Sequence, residues 1–175
     1  SITIPKNVTL IFSTAFNNCS AIVSIRVEDG NTKYDSRNHC NAIIETKTKS
    51  LCVGCKETKI PNDITRIQSC AFKGCSTLSH ITIPGSVKDI GWSTFEGCSS
   101  LSSIIIPDGI TKINSETFKD CSALSHVTLP KSVKVIEQSA FSNCSNLMTI
   151  DWSEHVERIC ACAFDGCSCL KNIGN

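Results

Sequence analysis

The sequence predicts a right-handed solenoid, a stack of 23-residue coils, and three columns of recurring residues predict it. Cys75, Cys98, Cys121, Cys144 and Cys167 return every 23 residues, each followed by Ser and then, two residues on, by Leu78, Leu101, Leu124, Leu147 and Leu170. Phe72, Phe95, Phe118, Phe141 and Phe164 stand three residues before those Cys. Ile64, Val87, Ile110, Val133 and Val156 keep the same register, as do Ile67, Ile90, Ile113, Ile136 and Ile159 three residues further on. A unit of this size cannot bury its own apolar face, so neighbouring units stack and equivalent side chains line up along one core.

Within the unit, the L-x-x-I-x-I segment carries apolar residues at period two, as a half-buried strand requires. The Pro that follows has no N–H to donate and ends the ladder. Pro61, Pro84, Pro107 and Pro130 open successive units, with Ser153 in that place in the last. The V-x-x-I spacing before each Phe suits a short strand leading into a 3-10 turn and leaves no room for a full α-helix. A further copy runs from Pro5 through Val8, Ile11, Phe16 and Cys19 to Val27. The expectation is a β-rich α/β solenoid with parallel strands and one repeat domain over residues 1–175. Its units fall near 5–27, 28–60, 61–83, 84–106, 107–129, 130–152 and 153–175. Because the chain opens on Ser1 in the tail of one unit and stops inside another, it reads as a piece of a longer protein.

The period breaks over residues 28–60, where 33 residues stand in place of 23. Residues 41–46, 47–50 and 51–55 read as strand, polar turn and strand, hence an inserted β-hairpin. Residues 56–61 then align with the I-x-I-P strand of the other units, which returns the chain to the ladder. Such an insertion is either part of a binding face or a spacer that changes curvature.

The cores of type Ala71-Phe72-Lys73-Gly74-Cys75-Ser76-Thr77-Leu78 and the junctions of type Ile81-Thr82-Ile83-Pro84 resemble the BspA-like class of leucine-rich repeats, over nearly the whole chain. That resemblance implies a leucine-rich-repeat solenoid. It also implies a secreted or cell-surface protein of the kind found in host-associated bacteria and some parasitic protists, some of which adhere to matrix proteins or other cells. Ser153, Cys160 and Cys162 depart from the pattern and put the geometry of the last unit in question.

Composition narrows the function classes. Hydrophobic residues make up 41% and charged residues 19%, enough apolar surface to offset the entropy of ordering. Seventeen Lys and Arg against sixteen Asp and Glu leave a formal charge of +1, so no global field draws a nucleic acid or an anionic membrane. Apolar runs such as 104–106 are far shorter than the roughly 20 residues of a membrane span. No P-loop, G-x-S-x-G, G-x-G-x-x-G or H-E-x-x-H is present, which points to a non-enzyme without a cofactor.

Of the thirteen Cys, six (Cys19, Cys75, Cys98, Cys121, Cys144, Cys167) belong to the repeat column, where a small apolar side chain with a weak donor packs inside a turn. Stacked neighbours have parallel Cβ vectors, poor geometry for a disulfide, so free buried thiols are expected. Cys52 and Cys55 form a lone C-x-x-C, half of a zinc motif, and strand alternation would splay the two thiols. A disulfide from Cys40 to Cys52 or Cys55 is open if the compartment oxidises. His80 and His126 share one repeat position two coils apart, roughly 10 Å by strand spacing, too far to share a metal.

The outward positions of the strands are the natural contact surface of a solenoid. Coil by coil they are Ser24 and Arg26, Glu57 and Lys59, His80 and Thr82, Ser103 and Ile105, His126 and Thr128, Thr149 and Asp151, then Asn172. The row is polar, with Ile105 its apolar exception. Trp92, Trp152 and Tyr34 lie outside it, Trp152 at a core column. The expected function is a protein-interaction or adhesion module that binds a protein or glycan, a host extracellular-matrix component among them, through this row. The alternatives are a structural spacer for a neighbouring domain and a metal or redox role for the Cys outside the column.

Overall fold

The computed structural model describes residues 1–152 and 154–173. Ser153, which the repeat pattern places at a unit start, lies outside them. Among the described residues there are fourteen short strands, two 3-10 helices and no α-helix. In chain order the strands are β1 Ile2–Ile4, β2 Ile25–Val27, β3 Tyr34–Asp35, β4 Ala42–Glu45, β5 Ser50–Gly54, β6 Arg66–Ile67, β7 Asp89–Ile90, β8 Ser103–Ile105, β9 Lys112–Ile113, β10 His126–Thr128, β11 Val135–Ile136, β12 Thr149–Asp151, β13 Arg158–Ile159 and β14 Asn172–Ile173. The 3-10 helices are Ser13–Phe16 and Arg37–His39.

Each coil has three sides. The L-x-x-I-x-I side makes the parallel sheets β1-β2 and β8-β10-β12-β14, with Ser103, His126 and Thr149 in one register row and Ile105, Thr128 and Asp151 in the next. The V-x-x-I side makes the two-residue strands β6-β7 and β9-β11-β13, also parallel, because a Pro before and a tight turn after leave room for little more. The third side carries Phe and Cys. In the first coil it holds the 3-10 helix, and in later coils a run of turns joined by regular coil-to-coil bonds. Phe95 N donates to Thr117 O at 2.9 Å and Gly97 N to Lys119 O at 2.8 Å, and Phe118 and Asp120 repeat the pattern one coil on.

That ladder needs a left-handed backbone two residues on either side of each Phe. After the Phe, the position is filled by Gly74, Gly97, Asp120, Asn143 and Gly166, types that tolerate positive φ. Before it stand Cys70, Ser93, Glu116, Ser139 and Cys162, also at positive φ, where the side chain offers no such relief. Inside, Phe72, Phe95, Phe118, Phe141 and Phe164 stack with ring centroids 5.2–5.5 Å apart. The column thiols donate back to the preceding coil: Cys98 to Phe72 O, Cys121 to Phe95 O and Cys144 to Phe118 O, at 3.1–3.2 Å. Cys167 does the same to Phe141 O, so the last coil stacks in register. Cys19 departs from the expected column and is exposed.

The expected hairpin forms, as antiparallel β4 and β5 with a register shift between Ile43 and Ile44. It is a wall between two cores. Ala42, Ile44 and Leu51 join the main cluster with the Phe column, whereas Ile43, Cys52 and Val53 face a smaller cluster of Ile4, Ile25, Val27 and Tyr34. All five residues of β5 are buried, which is why residues 51–55 read as a continuous apolar run rather than an alternating one. On the V-x-x-I side, β3, β4 and β5 stand in succession beside β6, and the 28–60 segment also bonds to the first coil there: Ile11 N donates to Tyr34 Oη at 3.1 Å, and Asn31 Nδ2 to Val8 O at 3.0 Å. On the Phe side the segment contributes Gly54, whose N donates to Ala71 O at 2.8 Å. Asn18 N donates directly to Lys73 O at 3.0 Å, and Asn18 lies against Gly74. The inserted residues are therefore a wedge, thick on one side of the stack and thin on another, and Phe16 falls outside the Phe spine, in the smaller core.

The spine begins at Gly54. A Cβ built there would lie 2.0 Å from Phe72 Cε1, so the first ring rests on bare backbone. Gly54→Ala is expected to destabilise the protein by about 1–3 kcal/mol through overpacking of a ring that Phe95 already holds from the other side. Urea unfolding measures this, and an unchanged midpoint would contradict the tight contact.

The return to the ladder after the hairpin differs from expectation. Residues 56–60 form a turn and an irregular stretch, because Thr58 is drawn inward: its Oγ1 donates to Asn41 O at 2.7 Å and accepts from Cys55 N at 2.8 Å. Lys59 N donates to Cys40 O at 2.9 Å instead of to a strand neighbour. Residues 80–83, stacked on this irregular neighbour, are not a strand either, and their backbone makes no bond to the coils on either side among the described residues.

Candidate functional site

The strand face is thus not the unbroken row that the repeat suggests. Arg26 is on β2, exposed, 3.7 Å from Asp29. Glu57 and Lys59 are exposed but off-strand, as are His80 and Thr82, which corrects their expected placement in strands. Ser103 and Ile105 on β8, His126 and Thr128 on β10, and Thr149 and Asp151 on β12 lie side by side as expected. Ser24 is half-buried just before β2. The backbone of Asn172 pairs with Thr149 on β14, and its side chain lies outside the described residues.

The break in the ladder opens two clefts, each of about 330 Å³, on either side of residues 80–83. One is bounded by Lys56, Glu57 and Lys59 across from His80 and Thr82. The other is apolar, bounded by Ile81, Ile83, Ile104, Ile105 and Pro107, with His80 and Thr82 at its rim. Ile105 is 72% exposed, the most exposed of the large hydrophobic residues described. These clefts are what the repeat pattern could not show. The available signal was the irregular 33-residue unit next to them.

Beyond the clefts, His126 is held in place. Its Nδ1 meets Thr149 Oγ1 at 2.8 Å, and its Nε2 meets Thr128 Oγ1 and Asp151 Oδ2, each at 3.2 Å. A hydroxyl, an imidazole and a carboxylate in contact are the parts of a nucleophilic triad. Here they lie on the open strands outside both clefts, with Nε2 shared between Thr128 and Asp151. The arrangement fixes the orientation of the His126 ring on the strand face. His80, by contrast, meets Ser79 Oγ through Nδ1 at 3.0 Å.

The thiols behave as packing groups. Burial pushes Cys40 up to about 11 and Cys52 up to about 12, and raises Cys55 as well, the reverse of the low values that make a thiol a ready ligand or nucleophile. Cys55 Sγ donates to Asn41 O and Cys52 Sγ to Ser50 O, and Cys40 is free of either. Among the described residues no group of three or more His, Cys, Asp or Glu could hold a metal ion, and no helix is long and apolar enough to cross a membrane.

Comparison with known proteins agrees with this architecture. A family model described as the BspA type leucine-rich repeat region matches residues 1–50 and 42–171 in six copies. Among solved structures, a leucine-rich cell surface protein of Faecalibacterium prausnitzii is similar at 32% identity and a TM-score of 0.63, over 87% of this chain and 47% of that one. A leucine-rich repeat protein of T. pallidum is similar at 26% identity and a TM-score of 0.68, over 98% and 78%. One from Eubacterium ventriosum, at 24% identity and a TM-score of 0.58 over 99% and 60%, shares the fold. The chain spans about half the length of the Faecalibacterium protein. No curated protein matches it.

Proposed function

Because this chain belongs to the BspA-type leucine-rich repeat family, we propose that it is a non-enzymatic interaction module of a cell-surface or secreted protein, gripping a protein partner through its strand face around residues 80–83 and Ile105. The supporting observation is Ile105, 72% exposed and beside an apolar cleft, with the polar row of Thr82, Ser103, Thr128 and His126 around it. A desolvated apolar anchor within a polar rim is the anatomy of an interface hot spot. Lys59 and Glu57 at the first cleft and Asp151 at the far end supply charges of both signs, which set orientation more than affinity. The surface placement rests on the Faecalibacterium relative, a cell surface protein. Host extracellular-matrix proteins are the partners to try first. The hydroxyl-rich row could also take a glycan, but it holds no aromatic side chain to stack on a sugar ring.

The test is surface plasmon resonance of the folded chain against a panel of matrix proteins, beside an Ile105→Ser/His80→Ala variant. Saturable binding that weakens at least about 10-fold, roughly 1.4 kcal/mol, in the variant is the expected result. Binding that the variant leaves unchanged would move the site off this face. Absence of binding to the whole panel would favour a spacer that holds a neighbouring domain.

A further inference from the structure

We propose that the chain carries a second binding site, for a short neutral oligosaccharide, in the polar cleft that the wedge opens between the first coil, the hairpin tip and the third coil. This cleft, about 490 Å³, lies away from the strand face. Its volume is within the range of about 300–1,000 Å³ usual for small-ligand sites. Ser13 of the first 3-10 helix bounds it on one side, Glu45 and Thr48 of the hairpin on another, and Thr65, Gln68 and Ser69 form the floor.

The chemistry of the lining favours a polyhydroxylated, uncharged ligand. No apolar side chain lines the cleft. Its two charged groups are of opposite sign and already engaged. Arg66 Nε lies 3.0 Å from Asp89 Oδ2, and Glu45 accepts from Thr48 Oγ1 at 2.6 Å with Lys33 Nζ 3.7 Å away. What stays available is a set of neutral donors and acceptors: the side chains of Ser13, Thr65, Gln68 and Ser69 make no hydrogen bond to the protein among the described residues. Groups that both donate and accept suit ligand hydroxyls, which do the same.

A second observation points to the same class. Phe12 and Trp92 are the large aromatic side chains exposed among the described residues, at 68% and 51%, and each stands next to a residue that lines this cleft, Ser13 and Ser69 respectively. Phe12 immediately precedes Ser13 and caps the 3-10 helix. Trp92 follows Gly91, whose Cα packs so closely on Ser69 that a Cβ would lie 2.3 Å from Ser69 N, and its carbonyl accepts from Cys70 N at 3.0 Å. It therefore stands one coil beyond Ser69. A pyranose ring has an apolar face of C–H groups and a rim of hydroxyls, so a polar cleft with exposed aromatic residues next to its lining offers partners for both. Nothing in the packing of the solenoid requires either ring to be at the surface. The five other positions equivalent to Trp92 in the described coils are Ser13, Ser69, Ser115, Gln138 and Ala161.

The experiment is saturation-transfer NMR with the intact chain and a panel of neutral trisaccharides (cellotriose, xylotriose, mannotriose, maltotriose and N-acetylchitotriose), with titration of tryptophan emission. The expected result is saturable binding of at least one probe, a change in Trp92 emission that Trp92→Phe abolishes, and at least 10-fold weaker binding in Trp92→Ala, Phe12→Ala and Gln68→Ala. Circular dichroism should show these surface variants folded. Ile105→Ser/His80→Ala should bind the probe as tightly as the parent, which separates this site from the strand face. No transfer to any probe at millimolar concentration, or binding kept within twofold in both aromatic variants, would overturn the proposal.

Discussion

Replacing Phe118 by Ala is expected to cost about 3–5 kcal/mol, a large share of the stability of a chain this size. The ring is fully buried and stacks on Phe95 at 5.5 Å and on Phe141 at 5.2 Å, so truncation leaves a cavity bounded by two rings that have lost a partner. Collapse is impeded, because the Phe118 backbone is tied to the next coil by Phe118 N to Ala140 O at 2.8 Å and to its own turn by Cys121 N to Phe118 O at 3.1 Å. Phe164→Ala is the control. It is half-buried, has a described stacking partner on one side and meets Trp152 edge-on at 5.9 Å, so its loss should cost clearly less. Urea unfolding followed by circular dichroism measures both. Equal costs would mean that the spine is not the cooperative element, and a solenoid whose coils touch only their neighbours should unfold less sharply in Phe118→Ala.

The second large effect is a loss of stability in alkali. Burial pushes Cys75 and Cys52 up to about 12 and Cys40 up to about 11 from an ordinary 9.0, and it raises Cys98, Cys121 and Cys144 well above that value. As pH rises past 9 the unfolded chain gives up these protons while the folded chain keeps them. The folded state then binds more protons, and stability falls with pH. The contribution is intact below pH 9 and lost between 9 and about 12. At 1.36 kcal/mol per pH unit, Cys52 and Cys75 alone remove roughly 4 kcal/mol each, so cooperative unfolding is expected inside that window. A melting temperature that holds steady from pH 8 to 11 would contradict it. Thiol labelling at pH 8 gives an independent reading: the exposed Cys19, Cys162 and Cys169 should react at once, and the buried column only on unfolding.

Most of the fold was legible because a 23-residue period leaves few options. The Phe, Leu and Ile columns had to face inward, and the structure buries them from Ile67 and Phe72 to Leu147, while in the last coil Ile159 is exposed and Phe164 and Leu170 are half-buried. The hairpin was legible from its two apolar runs around residues 46–49. Its role as a wall between two cores was not, since burial on both faces depends on what the first coil packs against. The contact face was legible as a list of outward positions for Ser103, Ile105, His126, Thr128, Thr149 and Asp151, where the strands hold their register. It failed at Glu57, Lys59, His80 and Thr82, because one hydroxyl, Thr58 Oγ1, satisfies buried backbone groups that a strand would have paired.

By itself the sequence determined the coil length, the core columns and the strand positions of the regular coils. Each of these repeats, and a repeated residue type has one consistent environment in a stack. The tertiary structure alone decided the left-handed backbone at Cys70, Ser93, Glu116, Ser139 and Cys162, where coil-to-coil hydrogen bonds impose a conformation that the side chains do not favour. It also decided how ten extra residues are absorbed. They thicken one side of the stack and leave little on another, because Gly54 and Asn18 together reach Ala71 and Lys73 and satisfy the backbone bonds that a regular coil would have made.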